Sequence, residues 1–416
     1  MRPGLTRVRG LRRDPRYDAT DRSHTLVANP HRDSVRTVAF TARALNGTFT
    51  VRSPDFRIAR GGGSDLSRVL RSLVHSRAGV IAAVGWLAFV LATQRWRPWS
   101  DGVRLQYATD VRAYEAIARA APGFPSIRIQ APHADRWVPE WVVGEAHRLF
   151  SFELHTMYYA ATGLALALAI AALVALLRQR RTGSAATALV IGAFVASAYP
   201  FRYLVEAPGM LTDALFVCGL AFAVLAFESV SPTLLVAGLV IATLGRQTGV
   251  PLLPVVAAAV LTDRRWRRRR AATAVLVVVL PLLAYLIPHE TSRSFSDSSG
   301  RGLVGMTVGG DWAPRALVEH VARCAIALAI PAALLAVGWL RGRRAPLWGP
   351  LAFGLCVVAQ ALVLAPDWSH AEPRLAGLAL PALVLAAAPS LDAAQLGIGE
   401  AATAAIGIAL ASLHHL

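Results

Sequence analysis

The chain has 416 residues, of which 55% are hydrophobic and only 16% charged, with a mean hydropathy of +0.46. Soluble domains carry roughly a quarter charged residues, so an ordinary soluble protein is excluded. The net charge of +18 is carried wholly by arginine, with no lysine anywhere. Those arginines fall in clusters between apolar blocks, a pattern of arginine-rich coding and membrane flanks that argues against a nucleic-acid partner.

Residues 1–78 read as a basic, mostly disordered, cytoplasmic N-terminal tail, rich in Arg, Asp, Ser and Gly and without a long apolar run. A weak strand-like alternation covers 37–51, and a misassigned start codon is an alternative origin for the extra residues. The first apolar block comes too late for a secretory signal. Residues 79–416 read as a multi-helix membrane domain.

Apolar blocks follow at 79–95, 154–177, 185–200, 214–228, 232–245, 249–262, 271–288, 319–340, 346–365, 374–390 and 396–413. About twenty apolar residues cross the hydrocarbon core as a helix, and backbone groups in lipid must be satisfied within the segment. The expected fold class is therefore all-α and polytopic, with ten or eleven transmembrane helices; Glu400 makes the last block the weakest. The stretch Gly245-Arg246-Gln247-Thr248-Gly249-Val250-Pro251 separates two short blocks that read as one broken or re-entrant pair. Cys218, Cys324 and Cys356 each sit inside an apolar block, as small hydrophobes rather than disulfide or zinc ligands.

With the tail inside, the clusters Arg178–Arg181, Arg264–Arg270 and Arg341–Arg344 all face the cytoplasm, in accord with the positive-inside rule. The segments 96–153, 201–213, 246–248, 289–318 and 366–373 then face outward. They hold most of the remaining polar chemistry, an asymmetry expected of a protein that works on a substrate at its outer face.

Loop 96–153 is the most informative of these. Tyr107, Val111, Tyr114, Ile117 and Ala118 recur at helical spacing and predict an amphipathic surface helix with Asp110 near its start. Trp137 to Phe150 reads as a second surface helix, preceded by the loop His133-Ala134-Asp135-Arg136. Asp110 reads either as a functional carboxylate or as a helix cap. Arg246 binds an anion or pairs with Asp213 or Glu206, and Arg202 and Glu206 have the spacing of a surface ion pair.

A long first outer loop with an acidic residue just beyond helix one, followed by two surface helices, resembles the GT-C class of membrane glycosyltransferases. Asp110-x-x-x-Tyr114 followed by Arg136-x-x-Pro139 is similar to a run in bacterial members. So are the segments Pro208–Ala214, Gly245–Gly249 with Leu252-Leu253-Pro254, and Glu372-Pro373-Arg374 running into Leu380-Pro381. The resemblance implies transfer of a sugar from a polyprenyl-phosphate donor to an extracytoplasmic glycan, lipid or protein, in a bacterial cell membrane. It implies Asp110 as catalytic base. Tyr114, His133, Asp135, Arg136, Asp213, Arg246, Glu372 and Arg374 follow as substrate-binding residues, with the arginines on the donor phosphate. Adjacent acidic pairs are common in the class and Asp110 has no acidic neighbour, so the identity of the base stays open. No metal-ligand spacing is diagnostic at Asp367, His370 and Glu372, and a divalent metal stays open as a cofactor. A transporter or flippase for a lipid-linked or small polar solute, or a non-catalytic membrane scaffold, are the alternatives.

Overall fold

The computed structural model describes residues 41–44, 47–50, 77–95, 108–297, 312–342, 344–363 and 371–414. It divides into two units, Met1–Gly61 and Gly62–Leu416. In the first, β1 (Thr41–Ala44) pairs antiparallel with β2 (Gly47–Thr50), Thr41 opposite Thr50, within the stretch of strand-like alternation. The rest of the tail expected to be disordered lies outside the described residues as far as Ser76.

The second unit opens with α1 (Arg77–Thr93), α2 (Ala108–Ala120), α3 (Ala131–Ala134), α4 (Trp137–Phe150), α5 (Leu154–Gln179) and α6 (Ser184–Val195). A kinked segment of two turns follows, Ala198–Arg202 and Tyr203–Glu206. Then come α7 (Leu211–Ser229), α8 (Pro232–Gly245), the 3-10 turn Gln247–Gly249, α9 (Leu252–Thr262) and α10 (Arg270–Ser292). Helices α11 (Pro314–Gly342), α12 (Trp348–Val363), α13 (Ala371–Gly377), α14 (Leu380–Ala393) and α15 (Ile398–His414) complete it. The short strands β3 (Ile129–Gln130) and β4 (Ser296–Asp297) pair in parallel and tie the segment before α3 to the end of α10.

Each apolar block of the sequence contains a helix, but their lengths differ from ten or eleven uniform spans. Four, α5, α7, α10 and α11, are long and apolar enough to cross a membrane. Helix α6 with the kinked segment makes a fifth if counted together, bent by 51°. The other apolar helices are 10–17 residues long; a fourteen-residue helix rises only about 21 Å, short of a bilayer core of about 30 Å. Local sequence sets the breaks. The bend falls at Tyr199-Pro200, where Tyr199 is extended, and Arg246, also extended, ends α8.

Burial sorts the long helices. In its most apolar stretch α7 is 89% buried, whereas α10 is 28% and α11 22%. Close backbone approach packs α7: a Cβ on Gly219 would lie 2.5 Å from the Gly238 carbonyl of α8, so only glycine lets the two helices meet. Helices α10 and α11 instead present Val275, Leu276, Leu283, Val318, Val321 and Leu340 outward.

The two ends of α7 are chemically distinct. At its C-terminal end the buried Glu228 accepts Arg180, just past α5, and Arg265 (2.9 Å), just before α10. Gly183 N–H donates to Asp392 Oδ1 of α14 at 2.6 Å, and Gly342 lies against the Ser390 backbone of the same helix. All three arginine clusters therefore gather at one end of the bundle. At the other end, in the first turn of α7, lies Asp213.

Candidate functional site

Asp213 is wholly buried and sits where three helix ends meet. A Cβ on Gly245 would lie 2.5 Å from the Thr212 carbonyl. Glycine thus lets the end of α8 rest on the start of α7, and the next residue, Arg246, reaches Asp213 with its Nη1 on Oδ1. From α13, Arg374 places Nε 3.3 Å from Asp213 Oδ2 and Nη1 3.3 Å from Asp110 Oδ2. Gly377 holds that short helix against Tyr199, with room for no Cβ, and Arg374 Nη1 also donates to the Tyr203 hydroxyl at 3.4 Å. One guanidinium thereby bridges the carboxylates of α2 and α7.

Helix α2 presents Asp110 and, one turn on, the fully buried Tyr114. Its register against α4 is set by Gly144, whose Cα faces the Ala118 backbone. The α3 turn then brings His133 Nε2 to 3.4 Å from Asp110 Oδ1, and Arg136, at the start of α4, donates through Nη1 to the Tyr114 hydroxyl at 3.0 Å and through Nε to Gln247 Oε1 at 2.8 Å. Gln247 in turn donates to the Pro132 carbonyl at 3.0 Å, which locks the α3 turn onto the α8–α9 break.

Three buried guanidiniums, Arg136, Arg246 and Arg374, thus face two carboxylates, Asp110 and Asp213. Burial, reinforced by the surrounding arginines, pushes His133 down to about 4 against the pull of Asp110, so the imidazole is neutral at pH 7. The Tyr114 phenol is raised by its burial and keeps its proton. Among the described residues the cluster holds three guanidiniums against two carboxylates, one positive charge in excess. Arg136 makes its side-chain hydrogen bonds to the neutral Tyr114 and Gln247, and the Asp213 charge acts on it from beyond contact distance. A buried cation whose own hydrogen bonds reach only neutral groups is costly, and an anion placed here would offset part of that cost.

The structure brings together seven of the nine residues expected from the sequence: Asp110, Tyr114, His133, Arg136, Asp213, Arg246 and Arg374. Asp135 turns away. Its Oδ1 accepts from Ser292 Oγ at 2.8 Å and lies 3.0 Å from His289 Nδ1, so it ties α3 to α10. The side chain of Glu372, with Asp367 and His370, lies outside the described residues. Among the described residues no group of three or more His, Cys, Asp or Glu forms a metal-binding cluster. Nor do Arg202 and Glu206 form the surface pair that their spacing suggests, since Arg202 is buried against α1.

Three participants escape the sequence reading. Gln247 and Tyr203 lie within or beside the segments that resemble the family, but only folding shows which way they turn. The third is Glu140, fully buried in α4. Burial raises its carboxyl to about 8, only partly opposed by Tyr158 and Arg136. A raised carboxyl favours the protonated fold. Stability should be full below the unfolded value of 4.5 and fall as pH rises toward 8, by up to roughly a few kcal/mol. Glu140→Gln should flatten that decline and be the more stable protein at pH 8, read from unfolding midpoints between pH 5 and 9. An unchanged slope in the variant would remove Glu140 as its source.

Comparison of the chain with protein-family profiles, with curated proteins and with solved structures finds no match in any of the three.

Proposed function

We propose that the chain is a membrane glycosyltransferase, similar to the GT-C class, that moves a sugar from a polyprenyl-phosphate donor to an extracytoplasmic acceptor. The observation that carries this reading is the excess of guanidiniums over carboxylates among the described residues of the buried cluster, with Arg136 hydrogen-bonded only to neutral groups. The apolar outward faces of α10 and α11, too extensive for a water-facing surface, support a bilayer around the bundle. The arginine clusters at the opposite end from Asp213 support a cytoplasmic placement there and an outer placement of the site.

In this reading the donor phosphate meets Arg136, with Arg246 and Arg374 adding field from behind. The bond between the sugar's anomeric carbon and the phosphate oxygen breaks, and the lipid phosphate leaves as an anion that needs no acid. The acceptor oxygen bonds to that carbon, and its proton passes to Asp110. The neutral His133 lies with Nε2 3.4 Å from Asp110 Oδ1 and helps to orient the carboxylate.

A transporter is the second reading, favoured by the 51° break between α6 and the kinked segment, because broken helices mark solute sites in transporters. The two separate experimentally. Arg136→Gln should weaken capture of the lipid-phosphate donor roughly tenfold or more, the worth of a charge-assisted hydrogen bond. In a background without native cysteines, Ser126→Cys should be labelled from outside and Ser184→Cys should not. Reversed labelling would overturn the orientation. Full donor affinity in Arg136→Gln, with solute uptake into vesicles, would favour transport.

A further inference from the structure

The kinked segment after α6 serves two sides of the molecule. Tyr203 turns toward Arg374 of the candidate site, while its neighbour Arg202 turns toward α1. Arg202 is 2% exposed. Its Nη2 donates to Thr93 Oγ1 at 2.6 Å, its Nε to the Ala196 carbonyl at 3.3 Å, and its guanidinium carbon lies 5.5 Å over the Phe89 ring. Nη1 is buried with no hydrogen-bond partner, and no carboxylate among the described residues pairs with this side chain. Hydroxyl, carbonyl and ring acceptors do not neutralise a full charge. A buried guanidinium of this kind calls for an anion.

The same Phe89 lines an open groove of about 390 Å³ between α1 and α15. Its walls are almost wholly apolar, with Gly85 and Trp86 on one side and Ala405, Ile406 and Ala409 on the other. The volume lies in the range of small-molecule sites. A cation without a paired carboxylate among the described residues, stacked on the Phe89 ring that also lines the apolar groove, suits an amphiphile with an anionic head and a single long tail.

We propose that Arg202 and the α1–α15 groove form a binding site for a single-chain lipid phosphate, distinct from the Asp110–Asp213 cluster. The phosphate takes Arg202 Nη1, and the chain runs from Phe89 along Gly85 and Ile406. This inference rests on the membrane reading above and not on sugar transfer. Its position one residue from Tyr203 puts a lipid phosphate next to the candidate site, where a donor waits or a spent carrier leaves.

Native mass spectrometry of the full chain in detergent, titrated with undecaprenyl phosphate, counts the sites. Wild type should bind two lipids. Arg202→Gln should bind one, and so should Gly85→Leu, in which the new side chain fills the groove. A Cβ on Gly85 meets nothing within 4 Å, so that variant keeps the fold even where Arg202→Gln does not. Arg136→Gln should lose the other lipid. Wild type with one lipid that Arg202→Gln loses would leave this site standing and remove the Arg136 site instead. Wild-type counts in both Arg202→Gln and Gly85→Leu would overturn the proposal. So would displacement of the lipid by inorganic phosphate alone, which would mark a free-anion site with no part for the groove.

Discussion

Asp110→Asn is expected to lower sugar transfer by about a hundredfold or more, the usual worth of a general base. Its stability cost is expected to be about 1–3 kcal/mol, because the amide keeps the shape of the carboxylate but gives up its charge toward the buried Arg374. The useful signature is a split between binding and turnover. Removing one of two carboxylates from a cluster of three guanidiniums adds one unit of positive charge to it, so donor phosphate should bind as tightly as before or more tightly. A group that merely props up the site would lose both. Donor affinity measured alongside transfer from radiolabelled lipid distinguishes these outcomes. Near wild-type transfer in Asp110→Asn would remove Asp110 from the chemistry.

Asp213→Asn should give the largest loss of stability. Asp213 has no exposed surface and takes Arg246 on one oxygen and Arg374 on the other. Deleting one partner of a buried pair costs roughly 3–5 kcal/mol, because the remaining charge stays buried and uncompensated. At about 2–4 °C per kcal/mol, the unfolding midpoint should fall by about 10 °C. Arg246→Gln in the same chain should recover part of that loss, since the double variant removes both members of the pair and the two effects are coupled. A midpoint within about 2 °C of wild type for Asp213→Asn would show that the bridge contributes little.

The helices were legible in the sequence because their signal is local. Blocks of apolar residues end where Arg clusters, Pro200 or the Gly245–Pro251 stretch interrupt them, and α4 begins and ends at Trp137 and Phe150 as periodicity and flanking polar residues suggest. Span lengths were less legible. A run such as 185–200 reads as one helix by composition, whereas Tyr199-Pro200 bends the chain and leaves Arg202 inside. The site was legible in its charged members, because an arginine or aspartate beside apolar helices is costly enough to call for a purpose. Asp135 shows the limit of that logic. It is a polar residue of the same loop as His133 and Arg136, yet one step along the α3 turn directs it to Ser292 and His289 rather than to the cluster. Tyr203 and Gln247 carry no charge, and Glu140 gives no sign in sequence that α4 will bury it. The roles of Tyr203 and Gln247 depend on contacts across more than a hundred residues.

Sealed membrane vesicles of known orientation provide the deciding measurement. Polyprenyl-phosphate donor labelled in its sugar, supplied to the outer face, should yield labelled acceptor with the wild-type chain and essentially none with Asp110→Asn. Equal transfer by the two proteins, or transfer only from a nucleotide sugar supplied to the inner face, would contradict a lipid-phosphate-dependent site at the end of the bundle opposite its arginine clusters.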